Sequence, residues 1–285
     1  MLPFGIQPDG SDPNRDERGP DTMNRLLLHG ARYHDRKSVF VSADSKETPD
    51  WQADRLSIRV ALALREELGV GPGDVVALCM PLSVSWAVVE RATWGLGAAS
   101  SPIAPDASPA DAIRILSETR AKVLFTARAF SPHGIPIVTL EPTTEALLFS
   151  DLIARGGVLD TPERASGFRA AARQIPPFAL CSIEPGSGRE LDHEGWVQRV
   201  ARFLARFPPV RERRHVLAWE RPDLAARVVL HAGWADGLTT VVLESRDRDA
   251  SSGSHSRRFA SVSDVADGAD GADGAYGAYG GSIDE

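Results

Sequence analysis

Gly186, Ser187, Gly188 and Arg189 stand between an apolar run, Phe178 to Ile183, and an amphipathic stretch opened by Asp192 and His193. Read in order, these residues predict a buried strand, a glycine-bearing loop and a helix over 192–207. Proteins cradle phosphate in that setting, because helix-opening N–H groups and the helix dipole face an anion. Gly186 and Gly188 can offer backbone N–H groups there. Yet the loop has no lysine and no run of hydroxyl residues; lysine occurs only at Lys37, Lys46 and Lys122, all upstream. Glu184, Glu190 and Asp192 flank the glycines with negative charge. The setting of a nucleotide loop is present without its working side chains.

Other candidates for chemistry read more plainly as structure. Gly69, Gly71 and Gly73 form a second glycine cluster. It follows a helix and precedes a strand, so it reads as a helix-ending turn with no helix N-terminus facing a ligand. Asp192 reads as an N-cap, and His193–Glu194 as a polar pair opening the helix. His215 and His231 are isolated in sequence. Cys79 and Cys181 lie in apolar runs without zinc spacing and read as reduced core thiols. Gly186–Ser187–Gly188 lacks the Gly-x-Ser-x-Gly pattern of a nucleophile elbow. Arg202, Arg206, Arg211, Arg213 and Arg214 cluster at a helix end and around a Pro-Pro turn, where cations suit the helix dipole. With a net charge of -7 overall, nucleic acid is not an expected partner.

The elements that must position these residues alternate. A helix is expected over 22–34 and a strand over 38–42, then a helix over 51–68 capped by Asp50. Leu56, Val60, Leu64 and Leu68 give that helix one apolar stripe. Strands follow at 75–79, 98–103, 121–126 and 135–140, with helices at 83–96, 108–119, 144–154 and 161–173. Beyond the loop come a strand at 215–219, a helix at 223–234 and a strand at 238–243. The pattern implies an α/β fold: a mostly parallel sheet flanked by helices on both faces. The expected organisation is a polar, disordered segment over 1–20, one α/β domain over 21–245, and a low-complexity tail over 246–285 whose glycines recur without collagen's proline. The first residues lack the apolar region of a signal peptide, and no apolar run is long enough to span a bilayer. No membrane partner and a cytoplasmic location are the expectations. Hydrophobic content of 42% suffices for a sizeable core.

Taken together, these elements resemble the N-terminal part of the AMP-binding, adenylate-forming enzymes, the acyl- and aryl-CoA ligases and related adenylation domains. The stretch from Arg65 to Thr126 is similar to that family's opening, with Gly73–Asp74, Gly97–Ala98, Pro102 and Pro105 on recurrent positions. Asp192–His193–Glu194–Gly195–Trp196 resembles the Thr-His helix opening that follows the family's phosphate loop, and Arg214 to Glu244 the segment beyond it. The resemblance implies ATP or AMP and Mg²⁺ as cofactors and places the loop glycine on Gly188 and the loop lysine on Ser187. Arg189 is the nearby substitute cation, able to bind phosphate as a fork. Ile183, Glu184 and Pro185 fill positions that normally carry hydroxyls and glycines. An acid there repels phosphate, and proline removes a donor.

Adenylation needs cations to offset charge developing at the α-phosphate. The resemblance covers only the front of the family's large domain, and no lysine follows Lys122. The expectation is therefore a truncated, degenerate homologue, catalytically silent alone and acting as a binding or interaction module. Gly186, Ser187, Gly188, Arg189 and His193 would be its degenerate phosphate loop, with no catalytic and no metal-binding residue. The alternative is half of a split acyl-CoA ligase completed by a partner chain; a third is a decayed gene product. An uncovered half favours self-association or a partner protein.

Overall fold

Apolar alternation along the strands builds the central layer. The computed structural model describes residues 20–34, 38–42, 47–128, 134–144, 146–206, 215–218, 222–236 and 240–243. Expectations for the first nineteen residues, for the 207–214 arginine turn and for the tail lie outside them. In chain order the elements are α1 (Met23–His34), β1 (Ser38–Ser42), β2 (Glu47–Pro49), α2 (Asp50–Leu68), β3 (Val75–Cys79), α3 (Val84–Gly95), β4 (Ala99–Pro102), α4 (Pro109–Thr119), β5 (Val123–Thr126), β6 (Ile137–Thr139), β7 (Leu147–Leu148), α5 (Phe149–Leu159), α6 (Pro162–Gln174), β8 (Leu180–Glu184), β9 (Arg189–Asp192), α7 (His193–Arg206), β10 (His215–Ala218), α8 (Leu224–Ala235) and β11 (Thr240–Leu243).

Seven strands form one sheet in the order β7-β6-β5-β3-β4-β8-β9. Every neighbouring pair is parallel except β8–β9. The mostly parallel α/β sheet expected from the alternation is the fold observed. Central β3 is buried throughout. Its Val76 and Leu78 enter the larger core, while Val75, Ala77 and Cys79 enter a smaller core on the opposite face, as period-two geometry requires. Helix α4 covers that smaller core with Ala112, Ile115 and Leu116; α2, α3, α7 and α8 fill the larger. Cys79 and Cys181 are buried free thiols, as read from their apolar surroundings.

A second, four-stranded sheet of order β10-β11-β1-β2 was not expected as a separate layer. Helix α8 packs against β1, β10 and β11 and also reaches the seven-stranded sheet through Arg227, so it lies between the two sheets. Ten consecutive residues of α8, Ala226 to Ala235, are buried.

Four local readings are corrected. Asp50 does not cap α2; Pro49 occupies the cap position without a side-chain bond, and the Asp50 carboxylate accepts a 2.5 Å hydrogen bond from Trp234 Nε1. The helix expected over 144–154 starts later, as α5, behind the two-residue strand β7. Phe178 is not the start of a buried strand but sits on a turn, 78% exposed. The fourth concerns the loop itself: β9 intervenes between the glycines and α7. Among the described residues no helix is long and apolar enough to cross a membrane.

Candidate functional site

Gly186 and Gly188 close a hairpin. Strand β8 ends at Glu184, which pairs with Arg189 at the start of antiparallel β9. The turn between them holds Gly186 and Gly188 at φ of 81° and 61°. A Cβ at either would meet nothing within 4 Å, so the glycines serve the left-handed backbone and not a close approach. The Ser187 hydroxyl donates to the Glu184 carbonyl at 3.3 Å and accepts from the Arg189 N–H at 3.3 Å. Two polar groups of the expected loop are thus engaged within the turn.

The hairpin separates the glycines from the helix that was to aim its N–H groups at the same anion. The turn lies at the carboxyl end of β8, where ligands of open α/β sheets bind. Strand β9 carries the chain back, and α7 begins about 13 Å away, at four residues of roughly 3.3 Å each. The donors at its start are engaged there. His193 N–H donates to the Ala179 carbonyl, Glu194 N–H to the Pro177 carbonyl, and Gly195 N–H to the Asp192 carboxylate at 2.7 Å. Asp192 is therefore the N-cap expected of it. Gly186, Ser187, Gly188 and Arg189 come together in the hairpin; His193 does not join them.

His193 is fully buried, its ring 6.4 Å from that of Trp94. Among the described residues neither ring nitrogen has a hydrogen-bond partner. Burial pushes its pKa down to about 4, partly opposed by Asp192. At neutral pH it is an uncharged core residue.

Behind the hairpin lies a buried ionic cluster that sequence reasoning missed. Glu90 of α3, Arg227 and His231 of α8 are fully buried, and Glu184 at the end of β8 is 14% exposed at its side chain. Arg227 pairs with Glu90, reaches Glu184 Oε1 at 2.5 Å, and donates to the hydroxyls of Ser100 and Ser182 at 3.0 and 2.9 Å. Glu90 also accepts from Trp86 Nε1 at 3.1 Å, from Ser100 Oγ at 2.8 Å, and meets His231 Nε2 at 2.7 Å. Burial alone would raise the Glu90 pKa, but the Arg227 guanidinium and His231 outweigh it and hold it at about 2. Burial lowers His231 despite Glu90 beside it. For Arg227, burial works against the charge and the two carboxylates restore it, so its pKa is raised. The guanidinium also lies 5.0 Å from the Trp196 ring centroid.

Glu184 thus does not simply present a repelling charge to the turn, as the sequence implied; its carboxylate is committed to Arg227. The same bond commits Arg227, which reaches β8 from behind. A signal for this cluster was present in the sequence. Glu90 in Trp86-Ala-Val-Val-Glu-Arg-Ala-Thr-Trp94, and Arg227 with His231 in Ala225-Ala-Arg-Val-Val-Leu-His-Ala-Gly-Trp234, are charged or polar residues inside otherwise apolar helices. Such residues are buried only when paired. Among the described residues no group of three His, Cys, Asp or Glu side chains is placed to hold a metal ion.

Comparison with known proteins places this geometry. The profile of the family described as AMP-binding enzyme matches residues 30–176, which ends before β8. Protein Y of Streptomyces griseus is 29% identical over 185 residues, 62% of this chain and 60% of that protein. Among solved structures, the N-terminal domain of FACL13 from Mycobacterium tuberculosis superposes with a TM-score of 0.60 at 20% identity, over 78% of this chain and 56% of that one. Coronafacic acid ligase from Pectobacterium brasiliense gives 0.67 at 12% identity, covering 80% of this chain and 47% of the ligase. A benzoate CoA ligase from Burkholderia xenovorans gives 0.65 at 18% identity, covering 78% and 45%. The chain spans about half the length of these solved ligases. At these identities the likeness is one of fold.

Proposed function

Since this chain belongs to the AMP-binding enzyme family, we propose that it is a homologue of the N-terminal part of those ligases that does not form acyl-adenylates by itself and works as an interaction module. The observation that carries this reading is the β8–β9 hairpin. It sets the four residues of β9 between the glycine turn and the α7 N-terminus, and the N–H groups of His193, Glu194 and Gly195 are already engaged. The residues present do not fit a nucleotide's phosphates in three further ways. Ser187, which the resemblance sets on the lysine position, is bonded within the turn. Pro185 brings no donor. Arg227, the buried cation behind the hairpin, is held by Glu90 and Glu184.

Titration calorimetry of the full chain with Mg-ATP tests the proposal. No heat of binding at millimolar nucleotide is expected; saturable binding in the micromolar range would sink it.

A second reading, half of a split acyl-CoA ligase, is favoured by one observation: the chain covers only 45% and 47% of the ligases of known structure cited above. A partner chain would then supply the missing cations. Adding a candidate back-half chain to the assay separates the readings, since restored ATP consumption with a carboxylic acid and CoA belongs to the second alone.

A further inference from the structure

The aromatic core between α3, α7 and α8 carries polar atoms that the protein itself does not satisfy. His193 and Trp196 of α7 and His231 of α8 are fully buried. Their rings surround that of Trp94, at centroid distances of 6.4, 5.4 and 4.6 Å. Among the described residues, both ring nitrogens of His193, Trp196 Nε1 and His231 Nδ1 have no hydrogen-bond partner. The neighbouring donors are already used. Trp94 Nε1 donates to the Cys181 carbonyl at 2.8 Å. Arg227 lies over the Trp196 ring, and its nitrogens are engaged by Glu90, Glu184, Ser100 and Ser182. Buried polar groups are almost always hydrogen-bonded, to protein or to ordered water. Leaving these nitrogens bare would together cost a sum comparable with the whole stability of a domain.

Their donor and acceptor roles are complementary. Glu90 is ionised at neutral pH, so His231 Nε2, 2.7 Å from its carboxylate, is the donor of that pair. Burial keeps His231 neutral, which makes its Nδ1 an acceptor. Trp196 Nε1 is a donor only. The rings of Trp196 and His231 stand 5.9 Å apart, edge to face. One water, reaching roughly 2.9 Å to each side, spans that separation. Neutral His193 has one donor and one acceptor nitrogen, which point in different directions and take separate partners.

We propose that this core is an internal hydration site, in which an ordered water accepts from Trp196 Nε1–H and donates to His231 Nδ1, and further water satisfies His193. Such a water makes about three hydrogen bonds and belongs to the fold. The bridge extends the ionic cluster of α3 and α8 into α7. The helix that follows the hairpin is then held by a polar chain, Glu90 to His231 to water to Trp196, as well as by apolar packing. The inference is independent of whether the chain binds nucleotide.

Water-selective NOE and ROE spectra of the nitrogen-15-labelled full chain at neutral pH test this. The Trp196 indole N–H is expected to show a direct dipolar cross-peak to water, with the sign of a residence time beyond about 1 ns. The exposed Trp51 indole should show only the signature of fast surface water. Trp196→Phe keeps a ring and removes the donor, so the peak should vanish with it. A high-resolution crystal structure gives a second measurement that needs no variant. A density peak within about 3.2 Å of both Trp196 Nε1 and His231 Nδ1 is expected. An indole proton of Trp196 without a long-lived water contact overturns the proposal. So does a core in which Trp196 Nε1–H points at the His231 ring with no density between them.

Discussion

Replacing Arg227 by methionine should expose how much of this fold hangs on one buried cation. The side chain is fully buried and joins α8 to α3 through Glu90, to β8 through Glu184 and Ser182, and to β4 through Ser100. Methionine fills similar volume but leaves Glu90 with Trp86, Ser100 and His231 as partners. Breaking a buried pair from one side costs about 3–5 kcal/mol, because the other charge stays buried without its counterpart. Against a total stability of roughly 5–15 kcal/mol, that is a large share. For a chain of this size the melting temperature should fall by roughly 10 °C. The pH dependence gives a second readout. Glu90 titrates at about 2 in the folded protein against 4.5 in the unfolded chain. A depressed carboxyl stabilises above the unfolded value, and that stability is lost as pH falls from 4.5 towards 2. The loss amounts to about 3 kcal/mol at 1.36 kcal/mol per pH unit. In Arg227→Met this acid-side slope should flatten, because the main force depressing Glu90 is gone. Urea unfolding at pH 3, 4 and 7 measures both effects. A penalty below 1 kcal/mol at pH 7 with an unchanged acid slope would refute the reasoning.

Four further outcomes are expected. Gly156→Ala should destabilise by about 3 kcal/mol or prevent folding, since its Cβ would lie 2.0 Å from the Arg59 carbonyl oxygen where α5 crosses α2. Gly167→Ala on α6 meets nothing within 4 Å and should stabilise by about 0.5–1 kcal/mol; thermal melts of the two variants check the pair. His193 titrates at about 4 when folded against 6.5 unfolded, so stability should be lost as pH falls from 6.5 to 4. That loss is about 3 kcal/mol, and His193→Phe should remove it from urea titrations across the same window. Ser187→Lys restores the expected cation to the turn but not the helix donors, and should gain no Mg-ATP binding by calorimetry.

The parts of the fold legible in the sequence are those written in local patterns. The run β3–α3–β4–α4–β5 was readable because period-two and helical periodicities switch at Gly73, Ser83, Gly97 and Ser108, where turn and cap residues mark the change. Ser83 and Ser108 do cap α3 and α4 through their hydroxyls. The short strands β2, β7 and β9 were not readable. Two to four residues carry no period, and β9, Arg189-Glu-Leu-Asp192, reads as polar loop because only Leu191 faces the core. That one missed strand changed the candidate site more than any other element, since it reverses the chain between the glycines and α7. The ionic cluster escaped for a different reason. Glu90, Glu184 and Arg227 are far apart in sequence, and only the packing of α8 between two sheets brings them together. Their residue types inside apolar helices signalled burial with partners, but not which partners.

On the proposed reading, the hairpin and its engaged donors leave this chain without adenylation chemistry of its own. ATP–pyrophosphate exchange by the purified full-length chain tests it most directly, run with Mg²⁺ and a panel of aliphatic and aromatic carboxylic acids. Exchange no faster than the protein-free background is expected for every acid. Acid-dependent exchange above background that rises with protein concentration would contradict it.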